Sequence, residues 1–200
     1  MWRAEVAYTL DNAKPKPANL ARRGIWMLNG LAAIVLWFAL DSYARSHLFL
    51  INRSPSLPNW AFIVEKGKTP KRGDVAFFVP HRGPIVEKHF GKVPSAFGKI
   101  VYGVPGDEIV HRGARVFVRF GPGDDNRINP RSAAGGEVQV AFIKPRSSVG
   151  EVLRPGPTGV IPNDCFYMGS RHRDGFDSRY ADIGFVCKHQ LVGVANKVIL

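Results

Sequence analysis

The sequence predicts a mostly β domain carried behind one apolar helix, and three observations lead there. Residues 24–44 form the longest apolar run, uninterrupted from Leu31 to Leu40 and broken before that only by the polar Asn29. From Ile51 onward the apolar runs are short and are separated by Gly, Pro, Asn and Asp, with no long stretch of helical periodicity. The 21 glycines and 15 prolines among 200 residues supply the turns that such a chain needs. With 45% hydrophobic and 22% charged residues the chain is too apolar for intrinsic disorder, and its composition is neither collagen-like nor of low complexity. Its size suits one medium domain with an appendage.

At a rise of ~1.5 Å per residue, the run at 24–44 reaches about 31 Å, close to the hydrocarbon thickness of a bilayer. Trp26, Trp37 and Tyr43 lie near its ends, where interfacial aromatic residues belong. Before it stand Arg3, Lys14, Lys16, Arg22 and Arg23 against Glu5 and Asp11, and this excess of positive charge keeps the N-terminus in the cytoplasm. The expected organisation is a cytoplasmic segment 1–23, a transmembrane anchor 24–44 and an exported domain 45–200. A cleaved secretory signal, with Ser42-Tyr43-Ala44 as its small-x-small site, is the alternative, but the apolar run and the segment before it are both long for a signal. On either reading the main domain leaves the cytoplasm.

The formal net charge is +12. The five bases and two acids before the run, with Asp41 inside it, leave +10 on the exported part. Outside the cytoplasm no nucleic-acid partner is expected, and the charge suits either an anionic lipid surface beside the anchor or a solvated basic face.

Within the exported part, strands are expected at 60–64, 75–79, 99–104, 116–120, 138–143, and 185–186 with 191–194. Lys71-Arg72-Gly73-Asp74, Pro105-Gly106-Asp107 and Pro162-Asn163-Asp164 are the turns between them. The Arg72-Gly73-Asp74 triplet is such a turn and not a cell-adhesion signal. Residues 121–136, with Gly-Pro-Gly-Asp-Asp-Asn and Asn-Pro, form an exposed insertion or hairpin tip.

The six histidines are scattered, no two of them stand four apart beside a Glu, and there is no Cys-x-x-Cys. No metal or other cofactor is expected, and the glycine-rich segments do not open helices in the manner of nucleotide-binding loops. Cys165 and Cys187 are compatible with a disulfide or with two buried thiols.

Three segments carry chemistry together. In Asn52-Arg53-Ser54-Pro55-Ser56-Leu57-Pro58 a serine is held in a proline-bracketed, extended stretch. From Phe97 to Asp107 a single lysine, Lys99, enters an apolar strand, where it either reaches back to water or is buried with a depressed pKa. From Gly169 to Tyr180 a dense, mixed-charge loop lies between apolar runs.

At these residues, from about 52 to 195, the chain resembles the bacterial signal peptidase I family, membrane-anchored serine peptidases with a Ser/Lys dyad. Ser56-Leu57-Pro58 is similar to the nucleophile box, Lys71 to Val75 to the turn and strand after it, Lys99 to Asp107 to the lysine box, and Asp177-Ser178-Arg179-Tyr180 to the last box. The box Ser56-Leu57-Pro58 lacks the Met that follows the serine in housekeeping members, and it is closest to the conjugative-transfer (TraF-like) branch. The last box opens with Gly169-Ser170-Arg171-His172 in place of the usual Gly-Asp-Asn-Arg, and Gly175 stands where the family commonly has a serine that helps hold the lysine. Ser178 or a water is then the candidate for orienting Lys99.

The resemblance implies a signal-peptidase-like β domain outside the membrane, with Ser56 as nucleophile, Lys99 as general base and the Ser54 hydroxyl in the oxyanion hole. It assigns Asp177, Ser178 and Arg179 structural roles beside the site. It further implies cleavage of leader peptides from exported preproteins or prepilins at a bacterial inner membrane, with the catalytic domain facing the periplasm, and a specialised role in pilin or conjugation-apparatus maturation. A non-catalytic, membrane-tethered assembly component that kept the fold is the alternative, and Gly175 with the altered opening of the last box is its best support.

Overall fold

The computed structural model describes residues 18–52, 56–121 and 136–199. The chain divides into two compact units, Met1–Arg45 and Ser46–Leu200. The first contains nearly all of helix α1, Ala18–Ser46, which includes a candidate membrane span at Arg22–Ser46. Among the described residues no other helix is long and apolar enough to cross a membrane. The helix runs past both ends of the apolar segment 24–44. Its last turn is closed by Arg45, whose Nη2 donates to Asp41 Oδ2 at 2.6 Å, an i, i+4 pair that also sets a cation at the negative end of the helix dipole. Residues 1–17 of the expected cytoplasmic segment lie outside the described residues.

The second unit is mostly β. Its strands are β1 (His47–Ile51), β2 (Ala61–Lys66), β3 (Val75–Phe78), β4 (Phe97–Gly103), β5 (Glu108–Arg112), β6 (Arg115–Arg119), β7 (Glu137–Phe142), β8 (Gly159–Val160), β9 (Cys165–Gly169), β10 (Val186–Cys187) and β11 (Leu191–Ile199). They form two antiparallel sheets, one ordered β1-β2-β11-β3-β4-β9-β10 and one ordered β7-β6-β5-β8. Strands β4 and β9 are neighbours in the larger sheet, so the whole smaller sheet is an excursion of the chain between them. Ala76, Phe78, Val101, Phe166 and Met168 build a core on one face of the larger sheet, and Leu57, Phe62, Val64 and Phe77 build a second core.

All six expected strand regions are strands, with ends within two residues of those expected except that β11 runs five residues further, to Ile199. Four strands and one helix were not expected, each for a local reason. Strand β1 follows directly on α1 and is masked by the apolar run before it. The five residues of β9 are all buried, so the strand shows no alternation. Strands β5 and β8 are short and part polar. Helix α2, Pro84–Phe90, spans only seven residues, too few to display a helical period, although Pro84 occupies the first-turn position that proline favours. The ends of the expected loop 121–136 are brought together by β6 and β7, which pair as far as Arg119 and Glu137, and the Phe120 N–H donates to Gly136 O at 2.9 Å. Residues 122–135 of that loop lie outside the described residues. Cys165 and Cys187 face one another across β9 and β10 and are joined in a disulfide.

The excursion is anchored at its root by a buried ion pair. Arg72, in the turn before β3, donates from Nη1 and Nη2 to the Asp107 carboxylate at 2.6 and 2.9 Å, and its guanidinium lies 4.2 Å from the centre of the Phe120 ring. Asp107 also accepts the N–H groups of Val104, at the end of the larger sheet's β4, and of Gly121, beyond the smaller sheet's β6, at 2.8 and 2.9 Å. One carboxylate thus ties both sheets together. A buried charge left alone is costly, so Arg72→Ala is expected to destabilise the domain by about 3–5 kcal/mol, whereas the apolar pair Arg72→Met with Asp107→Leu should recover part of that loss. Thermal or urea unfolding of the full detergent-solubilised chain measures both, and equal stability of Arg72→Ala and the parent would contradict the role of this pair.

Candidate active site

Asn52 is tied to the residues that follow Ser56. The Asn52 N–H donates to Trp60 O at 2.7 Å, and its side-chain amide donates to the carbonyls of Leu57 and Asn59 at 3.1 and 2.9 Å. Leu57 is buried against Phe62, Val64 and Phe77, so the residue after Ser56 is an anchor and the serine stays half-buried on the turn beside it. Leu57 seats on β4 at Gly98. A Cβ there would fall 2.7 Å from Phe77 Cε1 and 3.0 Å from Leu57 Cδ1, so a side chain at 98 would press on the Phe77 ring and on Leu57 packed beside it. The residue after Gly98 is Lys99. Ser54 lies outside the described residues.

Lys99 pairs with Ala76 of β3 and shares its face of β4 with Phe97 and Val101. Only 5% of it is exposed. Burial pulls its amine below the ordinary lysine pKa, opposed by the nearby Asp177 carboxylate and assisted by the Arg179 guanidinium. Among the described residues no carboxylate forms an ion pair with Lys99, because Asp177 is committed elsewhere. Arg179 Nε donates to Asp177 Oδ1 at 2.7 Å and Arg179 Nη2 to Oδ2 at 2.8 Å, while the Ser170 N–H donates to Oδ2 at 3.0 Å. Arg179 Nη2 also reaches Ser170 O at 2.7 Å, which closes the segment 170–179 on itself. Ser178 Oγ accepts the Met168 N–H at 3.0 Å and so fastens this segment to β9. The phenols of Tyr102 and Tyr167 are pushed up from the ordinary tyrosine pKa by burial and stay neutral.

Ser56 and Lys99 line one cleft of about 560 Å³, whose wall includes Phe77, Phe90, Phe97 and Phe176. Phe90 projects from α2, its ring 4.7 Å from Phe97 in an edge contact and 6.0 Å from Phe176 in a stacked one. Asn52 and Ile51 also line the cleft, as does Asp174, which is paired with Lys144. Asp177, Ser178 and Arg179 do not line the cleft; they are buried behind it.

Sequence reading placed Ser56, Lys99, Asp177, Ser178 and Arg179 as separate boxes, and here Ser56 and Lys99 open on the same space. It did not find the part played by Asn52, Leu57 and Gly98 in seating the serine, nor Phe90 as cleft wall. Asn52 and Leu57 are adjacent to the serine box and could have been suspected from it. Gly98 could not, because nothing local marks the close approach of a distant leucine.

A serine hydroxyl and a buried amine opening on an apolar cleft in an antiparallel β domain define the equipment of an acyl-transferring serine peptidase. The family model described as signal peptidase, peptidase S26, matches residues 23–200, and the chain belongs to this family. It is a hydrolase, a serine peptidase of the signal peptidase I type. No curated protein matches the sequence.

Because Leu57 seats on Gly98, Gly98→Ala is expected to displace the serine and lower kcat by about 10- to 100-fold, the scale of a misplacement near 1 Å. Turnover and the labelling rate of a serine-directed covalent probe measure this on folded protein, and unchanged labelling would contradict the seating role of Gly98.

Proposed function

We propose that this protein is a membrane-anchored endopeptidase that removes leader peptides from exported preproteins with Ser56 as nucleophile and Lys99 as general base. The observation that carries the reading is that both side chains line one cleft, with the lysine buried and the carboxylate that acts on it, Asp177, held by Arg179. The neutral amine takes the proton of Ser56 Oγ as the oxygen attacks the scissile carbonyl and a C–O bond forms. The Ser56 N–H and the Ser54 hydroxyl stabilise the oxyanion. Collapse breaks the C–N bond, and the lysine ammonium returns the proton to the leaving amine. A water deprotonated by Lys99 then cleaves the acyl-enzyme and regenerates Ser56.

Helix α1 is the single-pass anchor, residues 1–23 remain in the cytoplasm, and the peptidase domain faces the periplasmic side of a bacterial inner membrane, as the basic N-terminal segment supports. Its +10 charge favours lying against anionic lipid where substrates emerge. The box Ser56-Leu57-Pro58 supports a place in the conjugative-transfer branch, with prepilins or components of a conjugation apparatus as substrates. An extended substrate lies along the cleft and is read through its side chains. The non-catalytic alternative rested in part on Gly175, and the crowding of that position by Ser170 Oγ accounts for its glycine.

Ser56→Ala and Lys99→Ala are each expected to lower kcat by at least about 10³-fold without loss of folding. Incubation of the membrane-embedded protein with candidate preproteins and prepilins, followed by mass spectrometry, reads the cleavage position and whether the product is linear or cyclic; undiminished processing by either variant would overturn the dyad. Since only the neutral amine accepts a proton, kcat/KM is expected to rise with pH up to a limb set by Lys99. Burial lowers that limb below the free-lysine value, and beneath it activity should fall about tenfold per pH unit.

A further inference from the structure

Position 175 is occupied by glycine for a reason that lies five residues upstream. A Cβ on Gly175 would fall 2.1 Å from Ser170 Oγ, 2.9 Å from Asp177 Oδ2 and 3.2 Å from Arg179 Nη2. The Ser170 hydroxyl therefore fills the space that a side chain at 175 would take. Ser170 is 1% exposed, and its Oγ donates to Asp177 Oδ2 at 3.3 Å beside its own N–H at 3.0 Å. It follows Gly169, which pairs with Ile100 in the last β4–β9 pair, so in antiparallel register it stands next to Lys99 on the same face.

We propose that Ser170 is the positioning residue of this site: its hydroxyl, in place of any side chain at 175, holds the Asp177 carboxylate against Arg179 and away from Lys99. The proposal rests on the Ser56/Lys99 reading above. The charged and titratable groups around the lysine are few. Asp177 and Arg179 act on it from the segment after β9, and His172 and Asp174 line the same cleft. Its partner in β3 is the uncharged Ala76, and the serine loop presents Asn52 and Ser56. Asp177 is the acid among them that pulls the lysine toward its charged form, and the Ser170 hydroxyl is one of the groups that stabilise that carboxylate. Removing the hydroxyl leaves a stronger attraction for the ammonium and fewer neutral amines at a given pH.

The test compares the full-length parent, Ser170→Ala, Ser56→Ala and the reciprocal variant Ser170→Gly with Gly175→Ser, in pH profiles of preprotein cleavage and of labelling by a serine-directed covalent probe. Ser170→Ala is expected to move the acid limb upward by about half to one pH unit and so to lower both rates by about three- to tenfold at pH values below the limb. The reciprocal variant returns a hydroxyl to the same space from the other side and should recover rate and limb together. A loss of rate in Ser170→Ala with the limb unmoved would overturn the proposal, as would a folded reciprocal variant, by melting temperature, that recovers neither. If the reciprocal variant does not fold, the limb of Ser170→Ala decides alone. A Ser56→Ala protein as active as the parent would instead overturn the underlying dyad, so the two failures are distinguishable.

Discussion

The site depends on how the charge of one buried carboxylate is spent. Asp177 is the acid that acts on Lys99, and an acid free to pair with a buried lysine would hold it as an ammonium unable to accept a proton. Here Arg179 takes both carboxylate oxygens, and Ser170 adds a main-chain and a side-chain donor. The cost of burying a charged pair is offset only when such additional hydrogen bonds are present, and the segment 170–179 supplies them from its own backbone. Burial then acts on the lysine with less opposition, and the same packing that hides it from water favours its neutral amine.

Strand β4 joins this chemistry to the architecture. Within eleven residues, from Phe97 to Asp107, the strand and the turn after it provide an aromatic wall residue, the glycine on which Leu57 sits, the buried lysine and the aspartate that ties the smaller sheet to the larger. The smaller sheet leaves the chain after β4 and returns at β9, and the segment 170–179 begins where β9 ends. Fixing the root of the excursion through Arg72 and Asp107 therefore also fixes the two strands that bear the lysine and its surrounding groups. Buried ion pairs are weak contributors to net stability, and their value in this fold is that they permit one arrangement.

Much of this was legible along the chain. The anchor helix appears as an apolar run because a bilayer demands length and composition, both of which are sequence properties. Six strand regions appear because turn residues punctuate them. Strand β9 and helix α2 did not appear, since a fully buried strand loses its alternation and a seven-residue helix is too short to show a period. Arg72 read as one residue of a polar turn, although it is among the most buried side chains of the domain, because its partner stands 35 positions away.

By itself the sequence determined the types of group available for chemistry: one serine in a proline-bracketed segment, one lysine in an apolar strand and a charged loop with both signs. It also determined the order of these segments behind an apolar helix, which carries the family resemblance. Only the tertiary structure decided that Ser56 and Lys99 share a cleft, that Leu57 packs beside Gly98, and that Ser170 takes the place of a side chain at 175. The physical reason is that these depend on close approach between residues distant in the chain. Close approach is governed by excluded volume and by the competition among buried charges, and neither is written in the local order of amino acids.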